Sequence, residues 1–147
     1  MNTAGETQTK ILIVEDNPLD VLLLRHAFKE QAEWPTELSV LADGQEAVDY
    51  LSDPAGIRPD LVILDLNLPK LDGEEVLRAI RQSDELCRLP VIIFSSSPDD
   101  VVRSRVGRMQ VTPDCCVTKP IGIEGYSTLA EKFWRCYTQV LSGNDCD

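Results

Sequence analysis

The residues of this sequence best suited to chemistry share one kind of position: each lies just beyond a short apolar run. Glu15 and Asp16 follow Ile11-Leu12-Ile13-Val14, and Asp65 follows Leu61-Val62-Ile63-Leu64. Ser95 follows Val91-Ile92-Ile93-Phe94, and Lys119 comes shortly after Cys115-Cys116-Val117. Three carboxylates brought together repel one another and need a cation or a proton. Mg2+ suits them, because it takes oxygen ligands and is commonly held by one or two carboxylates plus a phosphate. A lysine adds a point charge suited to a phosphoryl oxygen. An ionised Asp65 can attack phosphorus to give an acyl phosphate, with metal and lysine neutralising charge on the transferring group. Taken singly, each residue has an ordinary explanation. Acids after strands cap helices, a strand-end serine satisfies backbone, and most lysines are solvated. The conjunction is what points to chemistry.

That conjunction needs the apolar runs to be neighbouring strands. Four of the five runs, counting Leu38-Ser39-Val40-Leu41, are nearly continuous hydrophobes, as expected of parallel strands covered on both faces. Helix signals separate them. Asn17-Pro18 reads as N-cap and first-turn proline before an apolar face of Leu19, Leu22, Leu23 and Ala27. Asp43 with Glu46, and Asp72 with Glu75, have capping-box spacing, and Ser97-Pro98-Asp99-Asp100 opens a fourth helix in the same way. A last helix is predicted from about Tyr126 to Leu141. Five βα units with right-handed crossovers predict an α/β, flavodoxin-like, doubly wound (βα)5 domain with strand order 2-1-3-4-5. In such sheets the working crevice lies beyond the carboxyl ends of the strands.

Composition narrows the partners. The 147 residues fit one domain, here 9–142 between a disordered polar tail at 1–8 and a C-terminal tail at 143–147. Asp plus Glu number 25 against 14 Lys plus Arg, and the net charge of −11 disfavours nucleic acid and anionic membrane surfaces. No apolar run reaches the roughly 18–20 residues of a membrane span. The polar start at 1–9 has no secretory h-region, and five cysteines without a CxxC pair predict reduced thiols in a cytoplasm. The adjacent Cys115 and Cys116 are expected to be buried and inert. The single histidine, His26, leaves the usual zinc sites short of ligands and is expected at the surface or partly packed.

The segments Ile-Leu-Ile-Val-Glu-Asp-Asn-Pro at 11–18, Leu-Val-Ile-Leu-Asp-Leu-Asn-Leu-Pro at 61–69, Asp-Gly at 72–73, Pro-Val-Ile-Ile-Phe-Ser-Ser at 90–96 and Thr-Lys-Pro at 118–120 resemble the receiver domain of two-component response regulators. The resemblance spans roughly 9–142. It implies that Asp65 accepts a phosphoryl group from a sensor histidine kinase. It also implies Mg2+ held by Glu15, Asp16, Asp65 and the backbone carbonyl of Asn67, with Ser95 and Lys119 contacting the phosphoryl group. A cis Lys119–Pro120 bond is implied as well, and Pro69 and Gly73 fit the turn after the acceptor strand. The Glu-Asp-Asn-Pro-x-Asp opening, the 53–59 loop and Phe133-Trp134 look like the single-domain regulators paired with bacterial phytochrome kinases. Those often dimerise through a face that includes the last helix, where Trp134 would be an interface anchor and Phe133 core. Output would pass to a downstream protein or along a phosphorelay. The sequence departs from the family at Cys116, where a Tyr or Phe switch is usual, and in the slightly long segment 107–113. The pocket also admits two other functions. A phosphorylation-independent scaffold is one. An aspartyl-phosphate phosphatase of the haloacid-dehalogenase type is the other, and it would need an acid where Asn67 stands.

Overall fold

A computed structural model describes residues 7–143. Five strands alternate with five helices: β1 Thr9–Val14, α1 Pro18–Lys29, β2 Thr36–Leu41, α2 Gly44–Ser52, β3 Leu61–Leu64, α3 Gly73–Gln82, β4 Val91–Ser95, α4 Asp99–Arg108, β5 Cys115–Thr118 and α5 Leu129–Gly143. All strand pairs are parallel, in the order β2-β1-β3-β4-β5. The expected architecture is thus the one adopted. Of the tails expected at the two ends, residues 1–6 and 144–147 lie outside the described residues.

The continuous apolar runs are explained by burial on both faces, with alternate residues serving alternate cores. Leu12, Val14, Val62, Leu64, Val91 and Ile93 face one core with Val76, Leu77 and Ile80 of α3. Ile11, Ile13, Leu61, Ile63, Ile92 and Phe94 face the other with Leu24 and Phe28 of α1 and Leu129 and Phe133 of α5. Burying each such side chain contributes about 1.5–3 kcal/mol, so both faces stay closed and polar chemistry is pushed to the rim.

Helix starts follow the predicted caps with two exceptions. Asn17 Oδ1 accepts from the N–H groups of Leu19 and Asp20, and Asp72 with Glu75 forms a complete capping box. Asp43 accepts from the Glu46 N–H, but Glu46 reaches back to Ala42 instead of the cap residue. At α4 the cap position falls on Pro98, and no side chain caps it. The last helix also starts later than predicted: Ile123–Thr128, containing Tyr126, is a 3-10 turn, and α5 begins at Leu129. The buried face of α1 is Leu24, Ala27 and Phe28, whereas Leu19 and Leu22 face solvent.

The amino end of the sheet is tied by Arg81 at the close of α3. Its guanidinium donates to the carbonyls of Thr112, Cys87 and Leu89 and to Asp114 Oδ2 at 2.8 Å. The same Asp114 oxygen accepts from the Val91 N–H, so one ion pair joins α3 to the starts of β4 and β5. Nearby, Met109 and Val111 of the long segment 107–113 pack into the first core. Replacing Arg81 with Met should lower stability by about 2–3 kcal/mol, because three carbonyls and one carboxylate lose their donor together. Equilibrium denaturation measures it, and a loss below about 0.5 kcal/mol would rank the pair with ordinary surface bridges.

Candidate functional site

The order β2-β1-β3 puts the topological switch at the carboxyl ends of β1 and β3. Register carries the acids there. Val14 pairs with Leu64, and the Asp65 N–H donates to the Val14 carbonyl at 3.1 Å, setting Asp65 beside Glu15 and Asp16. Oxygens of these three carboxylates lie within 4.8 Å of one another. Glu15 and Asp65 are buried and Asp16 is exposed. Gly73 permits the close approach of α3, since a side chain there would collide with the backbone of Asp65 and Leu66. The turn before it is made by Lys70 at φ 68°, a left-handed conformation placed next to Pro69.

From the other side β5 brings Lys119. Ser95 pairs with Thr118, and the Lys119 N–H donates to the Ser95 carbonyl at 2.8 Å. The ammonium lies 2.8 Å from Glu15 Oε1, 2.9 Å from Asp20 Oδ2 and 3.4 Å from Asp65 Oδ2. It also sits 5.5 Å from the centre of the Phe94 ring. Burial opposes that charge, but hydrogen bonds to Glu15 and Asp20 and the fields of Glu15 and Asp65 outweigh it, holding the Lys119 pKa above its usual value. Asp65 Oδ1 accepts from the Asn67 N–H, and the Ser95 hydroxyl, fully buried, accepts from the Ser97 N–H. Thus Glu15, Asp16, Asp65, Ser95 and Lys119 all come to one end of the sheet.

Glu15 carries the cost of this crowding. Burial raises it from 4.5 to about 7; the Lys119 hydrogen bond resists, and the negative Asp65 pushes further the same way. Its Oε1, though ion-paired to Lys119, has no aligned hydrogen bond. A buried acid with an unsatisfied oxygen, beside two more carboxylates and one ammonium, fits a divalent cation. The residues present are therefore compatible with a hard, oxygen-seeking metal.

Several sequence expectations need correction. The Lys119–Pro120 bond is trans, not cis; no described peptide bond is cis. An X–Pro bond prefers trans by about 0.5–1 kcal/mol, and the isomer found is the intrinsically favoured one. Here Pro120 lies against Gly125, where a side chain would collide with the proline ring. Cys116 is exposed, since β5 is an edge strand, while Cys115 is partly buried. Burial, aided by its neighbour Cys136, pushes the Cys115 thiol up to about 12. Cys115 and Cys136 are free thiols. His26 is exposed as expected, 3.8 Å from Glu30.

Three contributors were missed. Asp20 enters the sequence reading only as the last residue of the Glu-Asp-Asn-Pro-x-Asp opening. Tyr126, taken as the start of the last helix, donates its hydroxyl to Asp20 Oδ1 at 3.1 Å. Arg105 of α4 reaches Asn67 Oδ1 at 3.2 Å. No local pattern marks these contacts, which join residues 106 and 38 positions apart.

The response regulator receiver domain family matches residues 11–130. This chain belongs to that family. The receiver is 35% identical over 133 residues to response regulator Rcp1 of Synechocystis, covering 84% of this chain and 87% of that one. It is similar to the crystal structure of the phosphorylated cyanobacterial phytochrome response regulator RcpA, with a TM-score of 0.78 at 32% identity, over 90% of this chain and 95% of that one. The Mn(2+)-bound form of Rcp1 superposes with a TM-score of 0.71 at 34% identity, over 86% and 94% of the two chains. Among the described residues no helix is long and apolar enough to cross a membrane.

A metal-free receiver should therefore show an inverted pH response at Glu15. For an acid raised in the folded state, stability is highest below the unfolded pKa and falls as pH rises toward the folded one. Relative to Glu15→Gln, the wild type should lose stability as pH rises from about 4.5 to about 7, and Mg2+ above pH 7 should restore it. Paired thermal melts measure this; parallel pH curves for the two proteins would refute the assignment.

Proposed function

We propose that this receiver, with residues 9–142 as the working unit, accepts a phosphoryl group on Asp65 from a histidine kinase in a Mg2+-dependent reaction. The observation that carries the reading is the meeting of Asp65 with Glu15, Asp16 and Lys119 at the β1–β3 switch point. An Asp65 oxygen attacks phosphorus, the bond from phosphorus to the donor imidazole breaks, and its electron pair stays on the ring nitrogen, which takes a proton. The Asn67 N–H holds Oδ1 in place, and Lys119 stands beside Oδ2 to meet a phosphoryl oxygen. Ser95 turns its hydroxyl from the Ser97 N–H to a second oxygen. Glu15, Asp16, Asp65 and the Asn67 carbonyl would hold the cation, which supplies neutralisation of the developing charge. The protein modifies itself once per donor and is not a turnover enzyme.

The name of the phytochrome regulator RcpA supports a phytochrome-type sensor kinase as donor. The receiver relatives support a cytoplasmic location, and the net charge of −11 supports protein partners, a downstream binder or a phosphotransfer protein. A second copy of the chain is assigned to the α5 face. Trp134 packs on Trp34 with ring centres 5.0 Å apart yet stays 40% exposed, and Leu141, two turns on, is 60% exposed.

Incubation with acetyl phosphate should add one phosphoryl group by intact mass, only with Mg2+ and only with Asp65 present. No gain in folded protein, or equal gain by Asp65→Asn, would remove this function. Trp134→Ala should weaken any phosphorylation-dependent dimer by about tenfold or more in sedimentation, with unchanged phosphorylation. Unaltered dimerisation would clear that face.

A further inference from the structure

The receiver lacks an aromatic side chain at Cys116, but it has another buried beside the lysine. Tyr126 lies on the 3-10 turn that leads into α5, is 5% exposed, and sets its ring edge-on to Phe94 at 6.3 Å. Its hydroxyl holds one oxygen of Asp20 while the other oxygen of Asp20 holds Lys119. A continuous chain therefore runs from the Asp65 pocket through Lys119 and Asp20 to the start of α5.

We propose that Asp20 is a positioning residue for Lys119, and that the Lys119–Asp20–Tyr126 chain transmits the state of Asp65 to the 123–130 segment. This rests on the phosphorylation of Asp65 proposed above.

An ammonium has three N–H donors, and three carboxylates already stand within 3.4 Å of this one: Glu15 as an ion pair, Asp20 and Asp65 in hydrogen-bond geometry. A phosphoryl oxygen arriving on Asp65 is a fourth claimant, bringing about −1.5 to −2 charge. One carboxylate must yield. Glu15 and Asp65 belong to the three-acid cluster and their side chains are 2% and 8% exposed; Asp20 lies outside the cluster at 17%. Water can solvate Asp20 on release far better than it can Glu15, so Asp20 is the one displaced. Once loose, Asp20 no longer anchors the Tyr126 hydroxyl. Tyr126 is a firm donor in this bond: burial, with the charge of Asp20 and its hydrogen bond, pushes its pKa up to about 12. The turn it anchors continues directly into α5. A small thiol at position 116 is thus no obstacle to coupling, because the aromatic lever comes from position 126.

The test compares wild type, Tyr126→Phe and Asp20→Asn by amide hydrogen exchange, each with and without acetyl phosphate and Mg2+. Intact mass is read on the same samples. Tyr126→Phe keeps the ring against Phe94 and removes only the hydroxyl. In wild type, phosphorylation should speed exchange at residues 123–130 by about fivefold or more. In both variants that segment should exchange fast before phosphorylation and change by less than about twofold after it. A purely structural role would move both states equally and leave the wild-type difference intact, and that result overturns the proposal. Failure of the wild type to gain mass would remove the receiver reading and this proposal together. Mass gain in all three proteins with no change at 123–130 would remove this proposal alone.

Discussion

A single ammonium at the carboxyl end of the sheet holds the loops after β1 and β3 against β5. Glu15, Asp20 and Asp65 come from three separate points of the chain, and only the charge of Lys119 lets them share a largely buried space. The balance is incomplete: burial, helped by the charge of Asp65, leaves Glu15 shifted to about 7 and its Oε1 poorly satisfied. A site short of positive charge, yet rigidly framed, is prepared for a cation and for the exchange of one anion for another.

The opposite end of the sheet makes the contrast clear. Arg81 is also a cation gathering several elements, but its partners are three carbonyls and one carboxylate, each within hydrogen-bond reach. Its charge and donors are matched, so that knot only holds. The knot at Lys119 sets three carboxylates around one positive charge, and competition among them is what lets a change at Asp65 be felt at Asp20 and Tyr126. One fold thus has a settled end and a responsive end, separated by two cores that exclude charge from the interior.

Much of this was legible in the sequence because period and position carry it. Short apolar runs located all five strands, and the residues just beyond four of them gathered at one end of the sheet. What stayed hidden has particular causes. Residues 19–24 of α1 carry four leucines and a valine around the helix, so spacing alone does not choose the buried face; contact with Phe133 and Trp34 selects Leu24 and Phe28 over Leu19 and Leu22. The Lys119–Pro120 peptide is trans, the isomer an X–Pro bond favours by about 0.5–1 kcal/mol, a margin too small for the sequence to choose by. Tyr126 matched the helical pattern of the residues after it, although the first turn closes as 3-10.

By itself, then, the sequence determined the (βα)5 order, the strand ends and the chemical type of the group at each, since these follow from local hydrophobic period and from the rule that parallel strands present their carboxyl ends to one crevice. Tertiary structure alone decided which acids share Lys119, that Asp20 and Tyr126 join them, and which face of α1 and which proline isomer the chain adopts. Those outcomes depend on contacts as much as 106 residues apart and on free-energy differences too small for local sequence to settle.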